Sequence, residues 1–127
     1  MLTAKKILNV QNAVLVQGDF DISHIFHWEG RYSGIIDFGE IRGNNCLFDL
    51  ATFAFADRSP NRIAYSYVLE GYCEMTRLTD DDLYAIELMA LFQILRFLGK
   101  KVNTNSSAYW YKLAKKQLNQ INAVSHN

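Results

Sequence analysis

Acidic residues lie close to glycines at two places in this chain. These two segments are the strongest candidates in the sequence for a catalytic or metal-binding site. Asp19 follows a glycine within residues 17–24, and Asp37 stands two residues before a glycine within residues 34–40. Each segment follows an apolar run that is typical of a β-strand. Buried strands that deliver carboxylates into a loop suit proton abstraction and the binding of a divalent cation.

A β-hairpin is the element that would bring these side chains together. Residues 24–28 and 33–37 are two strand-like runs separated by four residues. A four-residue turn pairs the inner ends of these runs and, in the same register, places His24 opposite Asp37. Asp19 lies on the loop that leads into the first run, so three polar groups are expected to converge at one end of the hairpin. A slip of the register would break this convergence.

The apolar pattern becomes helical from about residue 47. Residues 47–56 are apolar on most sides, which predicts a buried helix. After a breaker at Pro60, Asn61 is a candidate cap for a helix that runs to about Arg77. Residues 3–9, near the start of the chain, are interpreted as the end of a further helix.

Two more helices complete the predicted layout. Thr79 and the three aspartates after it are typical of a helix start, and the Gly-Lys-Lys sequence at 99–101 marks the expected end of that helix. Ser106 or Ser107 would cap the last one. The prediction is a single α+β domain over residues 1–127, with a small antiparallel β-hairpin part at 13–45 followed by about four helices at 47–124.

Composition and charge restrict the function classes. The chain has 127 residues, with 13 basic and 13 acidic side chains, so nothing indicates a nucleic-acid or membrane partner. Cys46 and Cys73 are too few for a disulfide framework or a zinc site, and are expected to be reduced, partly buried thiols of a cytoplasmic protein. The longest apolar stretch is interrupted by Glu87, Gln93 and Arg96, which excludes a membrane span there.

Four motifs in order resemble one known family, the aminoglycoside and macrolide phosphotransferases of the protein-kinase-like superfamily. The resemblance covers residues 13–56 closely, and the helices after it agree with the helical C-terminal lobe of that family only in kind. Four motifs at matched spacing are far more specific than Asp-Phe-Gly alone. They are Val16-Gln17-Gly18-Asp19-Phe20, His24-Ile25-Phe26, Ser33-Gly34-Ile35-Ile36-Asp37-Phe38-Gly39-Glu40 and Phe48-Asp49-Leu50-Ala51.

The resemblance implies a role for each matching residue. Asp19 looks like the catalytic aspartate, which orients the substrate hydroxyl and accepts its proton. Asp37 looks like the Mg²⁺ ligand that bridges to the phosphates of ATP, and His24 stands at a second metal- and nucleotide-binding position. The supporting positions are Gln17, which would hydrogen-bond across the loop, Gly39, which would allow a tight turn beside the metal, and Asp49, which would brace the catalytic loop.

Three positions depart from the family pattern. Gln17 stands where most members have histidine, and an amide can still hydrogen-bond across the loop. His24 stands where many members have a metal-binding asparagine, although some antibiotic phosphotransferases are similar to this chain in having histidine there. Imidazole is a poorer ligand for Mg²⁺ than an amide oxygen. Asn45 and Cys46 replace the usual Asp-Pro, so any contribution of that aspartate is missing.

The resemblance implies an ATP- and Mg²⁺-dependent enzyme that phosphorylates a hydroxyl of a small molecule, similar to an aminoglycoside or a macrolide. No glycine-rich phosphate loop or strand lysine stands before Asp19 in this sequence. The chain is therefore expected to correspond to the C-terminal lobe, to be inactive in isolation, and to need an N-terminal lobe or a second copy. The alternative is a non-catalytic binding or interaction domain derived from a kinase-like fold.

Overall fold

A computed structural model describes residues 12–102 and 104–124 of the chain. It contains antiparallel β-structure followed by helices, which confirms the predicted α+β class. Residues 3–9, where the end of a helix is expected, lie outside the described residues. The strands are β1 (Val14–Val16), β2 (Ile25–Trp28), β3 (Arg31–Ile35) and β4 (Arg42–Asn44), and the helices are α1 (Phe48–Ala56), α2 (Ile63–Met75), α3 (Asp80–Lys101) and α4 (Ser107–Val124).

The hairpin of β2 and β3 is present, but its predicted turn and register are wrong. Glu29 and Gly30 have φ angles of 48° and 75°, so they form the two-residue turn in which both central residues are left-handed. The pairs are Ile25 with Ile35 and Trp28 with Arg31, and a bulge between Phe26 and His27 absorbs the extra residue. The register therefore differs from the predicted one by two residues next to the turn and by one residue beyond the bulge.

A second two-stranded sheet, β1 with β4, is not predicted by the sequence pattern. Val14 pairs with Asn44 and Val16 with Arg42 in antiparallel register. The sequence of β4, Arg-Gly-Asn, has no apolar alternation that would indicate a strand. Because Val16 and Arg42 are partners, the loop that leaves β1 and the loop that enters β4 lie side by side, and these loops contain Asp19 and Asp37.

The helix boundaries agree with the local sequence signals in two cases and differ in one. Thr79 caps α3 as predicted: its hydroxyl accepts from the Asp82 N–H, and the Asp82 carboxylate accepts from the Thr79 N–H. Asn61 is not the cap of α2, because it lies in a short 3-10 turn with a φ of 53°. The end of α3 at Lys101 agrees with the prediction from the Gly-Lys-Lys sequence at 99–101.

The core is formed mainly where α1 packs against α3 and α3 against α4. Residues 50–54 of α1 are all buried, as the predicted buried helix requires. Trp110 of α4 stacks against Phe97 of α3 with ring centroids 5.1 Å apart, and Phe97 stacks against Phe55 of α1 at 5.4 Å. No helix among the described residues has the length and apolar character needed to cross a membrane.

A buried ion pair joins the start of α2 to α3 and α4. Arg62 Nη1 lies 2.8 Å from Glu87 Oε2 and 3.0 Å from Gln120 Oε1. Gln117 Nε2 donates to Glu87 Oε2 at 2.5 Å and to the Glu87 carbonyl at 3.0 Å. Since a buried charge needs several partners to offset its loss of water, this network favours one arrangement of the three helices.

Candidate functional site

Asp49 in the first turn of α1 holds the loop that follows β1. Its Oδ2 accepts from the backbone N–H of Gln17, and its Oδ1 from that of Gly18, both at 2.9 Å. Hydrogen bonds from N–H groups to an ionised carboxylate are among the stronger ones in proteins. The ring of Phe20 also packs against Phe53 of α1, with centroids 5.2 Å apart. The loop that contains Asp19 is therefore fixed to α1 on both sides of that residue.

Gln17 joins the same loop to the loop that follows β3. Its side-chain Nε2 donates to the carbonyl oxygens of Asp37, at 2.6 Å, and Ile36, at 3.3 Å, while its Oε1 accepts from the Asp19 N–H at 2.7 Å. The side chain is buried. An amide can donate and accept at the same time. The glutamine at this position thus bridges the backbones of the two carboxylate-bearing loops.

Gly18 is where these loops come closest. It has a φ of 91°, and a Cβ at this position would lie 2.2 Å from the backbone carbonyl oxygen of Glu40. Neither the φ angle nor the distance is compatible with a side chain. Gly39 differs from expectation, because the left-handed residue in its loop is Asp37, with a φ of 61°, and not the glycine. A Cβ on Gly39 would lie 3.3 Å from Asp37 Oδ1, so its lack of a side chain leaves room for that carboxylate.

His24 connects Asp19 and Asp37. Its Nδ1 lies 2.8 Å from the Asp19 carbonyl oxygen, which can only accept, so Nδ1 donates the proton. Its Nε2 then faces Asp37 Oδ2 at 3.7 Å. The hydrogen bond to Asp19 raises the pKa of His24, burial opposes this, and the charges of Asp21, Asp19 and Asp37 add to the increase.

The predicted contact between His24 and Asp37 therefore occurs even though the predicted register is wrong, and Asp19 joins them through its backbone carbonyl and not through its carboxylate. Ile36 donates its N–H to the His24 carbonyl at 3.0 Å, so Ile36 and not Asp37 stands across from His24. Asp37 follows Ile36, and its left-handed backbone and exposed side chain bring its carboxylate to the His24 ring. The side-chain contact results from the conformation of one residue beyond the strand, which the pairing of the strands does not determine.

Mg²⁺ is the cation that the donor chemistry of this site fits. Asp37 supplies an exposed anionic oxygen, and a nucleotide-bound Mg²⁺ needs one or two carboxylates because phosphates and waters complete its shell. With Nδ1 protonated, His24 offers a lone pair at Nε2, a less suitable donor for this hard cation. Within residues 12–102 and 104–124, no group of three histidine, cysteine, aspartate or glutamate side chains is placed to hold a metal.

Asp19 faces a cleft that sequence reasoning does not anticipate. The Asp19 side chain is exposed, and no hydrogen bond to its carboxylate occurs within the described part of the chain. The cleft beside it has a volume of about 230 Å³. Its basic lining residues are Arg42 of β4 and Arg96 and Lys100 of α3. In the sequence, Arg96 is noticeable because it interrupts the apolar pattern of its helix. That interruption by itself indicates only that the helix does not span a membrane, and it does not predict a cleft.

The two cysteines lie apart from this site. Cys46 and Cys73 are free thiols. Both are exposed, so the prediction that they are partly buried is wrong. Asn45, in the position of the aspartate that the family pattern has, accepts the Leu47 N–H at 2.8 Å and so supports the start of α1.

The structure brings Gln17, Asp19, His24, Asp37 and Asp49 into one connected hydrogen-bonded group, with Gly39 beside it. Asp19 therefore has a braced backbone and a carboxylate without a hydrogen bond among the described residues, and His24 joins its backbone carbonyl to the carboxylate of Asp37. Comparison with known protein families, with curated proteins and with solved structures finds no match to this chain.

Proposed function

We propose that this chain forms the hydroxyl-activating and metal-binding part of an ATP- and Mg²⁺-dependent phosphotransferase that acts on a small molecule. The observation that supports it best is the position of His24, which contacts the backbone carbonyl of Asp19 on one side and the cation-suited carboxylate of Asp37 on the other, so that the two acidic residues are held near one another. Phosphoryl transfer requires little covalent chemistry of the protein. Positioning of the reactants and stabilisation of the developing charge supply most of the rate acceleration. Two carboxylates with separate environments meet that need.

In the proposed reaction Asp19 orients the substrate hydroxyl and accepts its proton. The hydroxyl oxygen forms a bond to the γ-phosphorus of ATP, the bond from that phosphorus to the bridging oxygen breaks, and ADP leaves with the electron pair. Asp37, together with His24, would hold Mg²⁺, which neutralises charge on the phosphates when bound. Asp49 and Gln17 keep the two loops in register, so the distance between the proton acceptor and the metal site is fixed.

The proposal includes a second protein surface over the nucleotide, either an N-terminal lobe or a second copy of the chain. Large apolar side chains near the hairpin are exposed, which supports such a contact. Trp28 is 74% exposed and Phe38 51% exposed. A cytoplasmic setting is also part of the proposal, since ATP is available there and Cys46 and Cys73 are free.

Calorimetric titration of the chain with ATP, with and without Mg²⁺, tests the proposed function. We expect binding that requires Mg²⁺ and is weakened on the order of tenfold or more in Asp37→Asn, because this change removes the anionic ligand. Asp81→Asn is the matched control: Asp81 is exposed at the start of α3, so its loss removes the same charge away from the site. Asp19→Asn should bind Mg²⁺-ATP about as well as the unmodified chain.

Two results would contradict the proposed function. One is binding of ATP that does not depend on Mg²⁺, and the other is equal binding by Asp37→Asn and Asp81→Asn. A folded chain that binds no nucleotide would favour the alternative of a non-catalytic domain. Circular dichroism of each variant shows whether the helices are intact and so separates loss of the site from loss of the fold.

A further inference from the structure

The cleft beside Asp19 is small and lies between the loop after β1 and the last turns of α3. Its volume is about 230 Å³. Pockets for drug-sized ligands are typically about 300–1,000 Å³. The space suits a molecule of the size of one sugar ring. The lining residues of the cleft come from the loop after β1, from Glu40 and Arg42, from α1 and from α3.

Two of the charged groups in the cleft neutralise each other. Arg42 Nη1 donates to Glu40 Oε2 at 2.8 Å and to the Glu40 carbonyl at 3.0 Å. The Arg42 guanidinium also lies 5.0 Å from the centroid of the Phe48 ring, which holds it against α1. Asp19, Arg96 and Lys100 are the lining charges that remain after this pair is removed. The cleft therefore offers two positive charges to a ligand and one negative charge at the proposed reaction centre.

Arg96 and Lys100 are one helical turn apart, so they lie on the same face of α3. Both are exposed, and no ion pair to either occurs within the described part of the chain. Lys100 Nζ lies 5.7 Å from the centroid of the Phe97 ring. Cations near a helix C-terminus are stabilised by the helix dipole. Lys101 has the same favourable interaction with the dipole, yet it does not line the cleft. The helix dipole therefore explains why basic residues occur at this end of α3. It does not explain why Arg96 and Lys100 lie at the cleft.

Part of the lining of the cleft is apolar. Phe55 and Phe97, which both line it, stack at 5.4 Å with their planes 23° apart, and Trp110 lies behind them. Packed rings of this kind form a rigid surface for the apolar face of a small ligand. Gln93, one turn before Arg96, adds a side chain that can both donate and accept a hydrogen bond.

We propose that the hydroxylated substrate carries an anionic group, a carboxylate or a phosphate, which Arg96 and Lys100 bind while its reacting hydroxyl lies at Asp19. This inference rests on the proposed function for the role of Asp19. A polycation such as an aminoglycoside would meet two uncompensated positive charges, and like charges at close range are unfavourable. The anionic group must lie away from Asp19 for the same reason, which orients the hydroxyl toward the carboxylate.

Four sugar-sized probes that differ in charge test this inference. Titrations of the ¹⁵N-labelled chain with gluconate, glucose 6-phosphate, glucose and glucosamine show which amides shift and how tightly each probe binds. We expect both anions to shift amides of Gln93 and Phe97, and to bind on the order of tenfold more tightly than glucose. Glucosamine should bind most weakly. Binding of the anions should weaken as salt is added, whereas that of glucose should not.

Charge-removing variants locate the anion site. Arg96→Gln and Lys100→Gln should each weaken binding of the two anions on the order of tenfold. Lys101→Gln is the matched control, since it removes the same charge from the same turn of α3 outside the cleft, and it should change affinity by less than about twofold. All three side chains are exposed, so these variants should keep the fold. Tighter binding of glucose 6-phosphate than of gluconate at the same salt concentration would identify phosphate as the preferred group.

Several results would overturn this inference. They are equal or tighter binding of glucosamine, no shift with either anion, and a loss in Lys101→Gln as large as that in Arg96→Gln. The proposed function fails separately. If the anions bind as expected but Mg²⁺-ATP does not bind, the anion site remains and the phosphotransferase proposal is wrong. If Mg²⁺-ATP binds and the anions do not, only the anion site is wrong.

Discussion

Replacement of Asp49 by alanine is expected to lower the free energy of unfolding by about 3 kcal/mol or more and to release the loop that contains Asp19. Asp49 accepts backbone hydrogen bonds from Gln17 and Gly18, both at 2.9 Å. Hydrogen bonds to charged groups contribute about 1.5–3 kcal/mol each. Their loss leaves two backbone N–H groups without partners in a largely buried place. Urea unfolding followed by circular dichroism measures the change in stability.

Amide hydrogen exchange separates the local effect of Asp49→Ala from the global one. Exchange at the N–H groups of Gln17 and Gly18 should accelerate more than exchange in the core of α3. Asp81→Ala serves as control, because Asp81 contributes only helix-start electrostatics, on the order of 0.3–1 kcal/mol. If Asp49→Ala and Asp81→Ala destabilise the chain equally and exchange at residues 17 and 18 does not change, Asp49 does not brace the loop.

Replacement of Gly18 by alanine is the second large effect, with an expected loss of about 2–4 kcal/mol. The added Cβ would lie 2.2 Å from the Glu40 carbonyl oxygen, and the φ of 91° is one that L-residues rarely adopt. Backbone strain of this kind contributes about 1–3 kcal/mol and overpacking a similar amount. The loop that contains Glu40 must move, so we also expect weaker binding of Mg²⁺-ATP.

Two other glycines allow strain and clash to be measured separately. Gly30 has a φ of 75° and open space where a Cβ would lie, so Gly30→Ala measures strain alone. Gly99 lies in α3 with open space and no positive φ, so Gly99→Ala should stabilise the chain by up to about 1 kcal/mol. The expected order of stability is Gly99→Ala, then Gly30→Ala, then Gly18→Ala. A loss in Gly18→Ala no larger than that in Gly30→Ala would show that the loops are not in close contact.

Local signals are sufficient to predict most of the helices and the existence of the hairpin. The Thr79 cap is an interaction within one turn, and the apolar run of α1 reflects burial on all sides, so both can be seen in a short window. The prediction for Asn61 is wrong because a residue suited to capping is equally suited to a left-handed turn position. The two-residue turn at Glu29 is not predictable in this way because glutamate rarely adopts a positive φ.

Contacts between segments that are distant in the sequence cannot be predicted from such local signals. The β1–β4 pairing depends on a strand with no apolar pattern, yet it places the two carboxylate-bearing loops side by side. The sequence connects Asp49 with the loop by resemblance alone, and only the structure gives its two backbone partners. The cleft depends on how α3 lies over the loop after β1, and no pattern in the sequence specifies that placement.

The most direct test of the proposed metal site uses Mn²⁺, which accepts the same oxygen ligands as Mg²⁺ and broadens the NMR signals of nearby nuclei. Mn²⁺ added with a non-hydrolysable ATP analogue should broaden the amide signals of His24, Asp37 and Gly39 first and leave those of α4 sharp. Asp37→Asn should remove this pattern. Broadening centred on the three aspartates at the start of α3, with His24 and Asp37 unaffected, would contradict the proposed metal site and with it the phosphotransferase proposal.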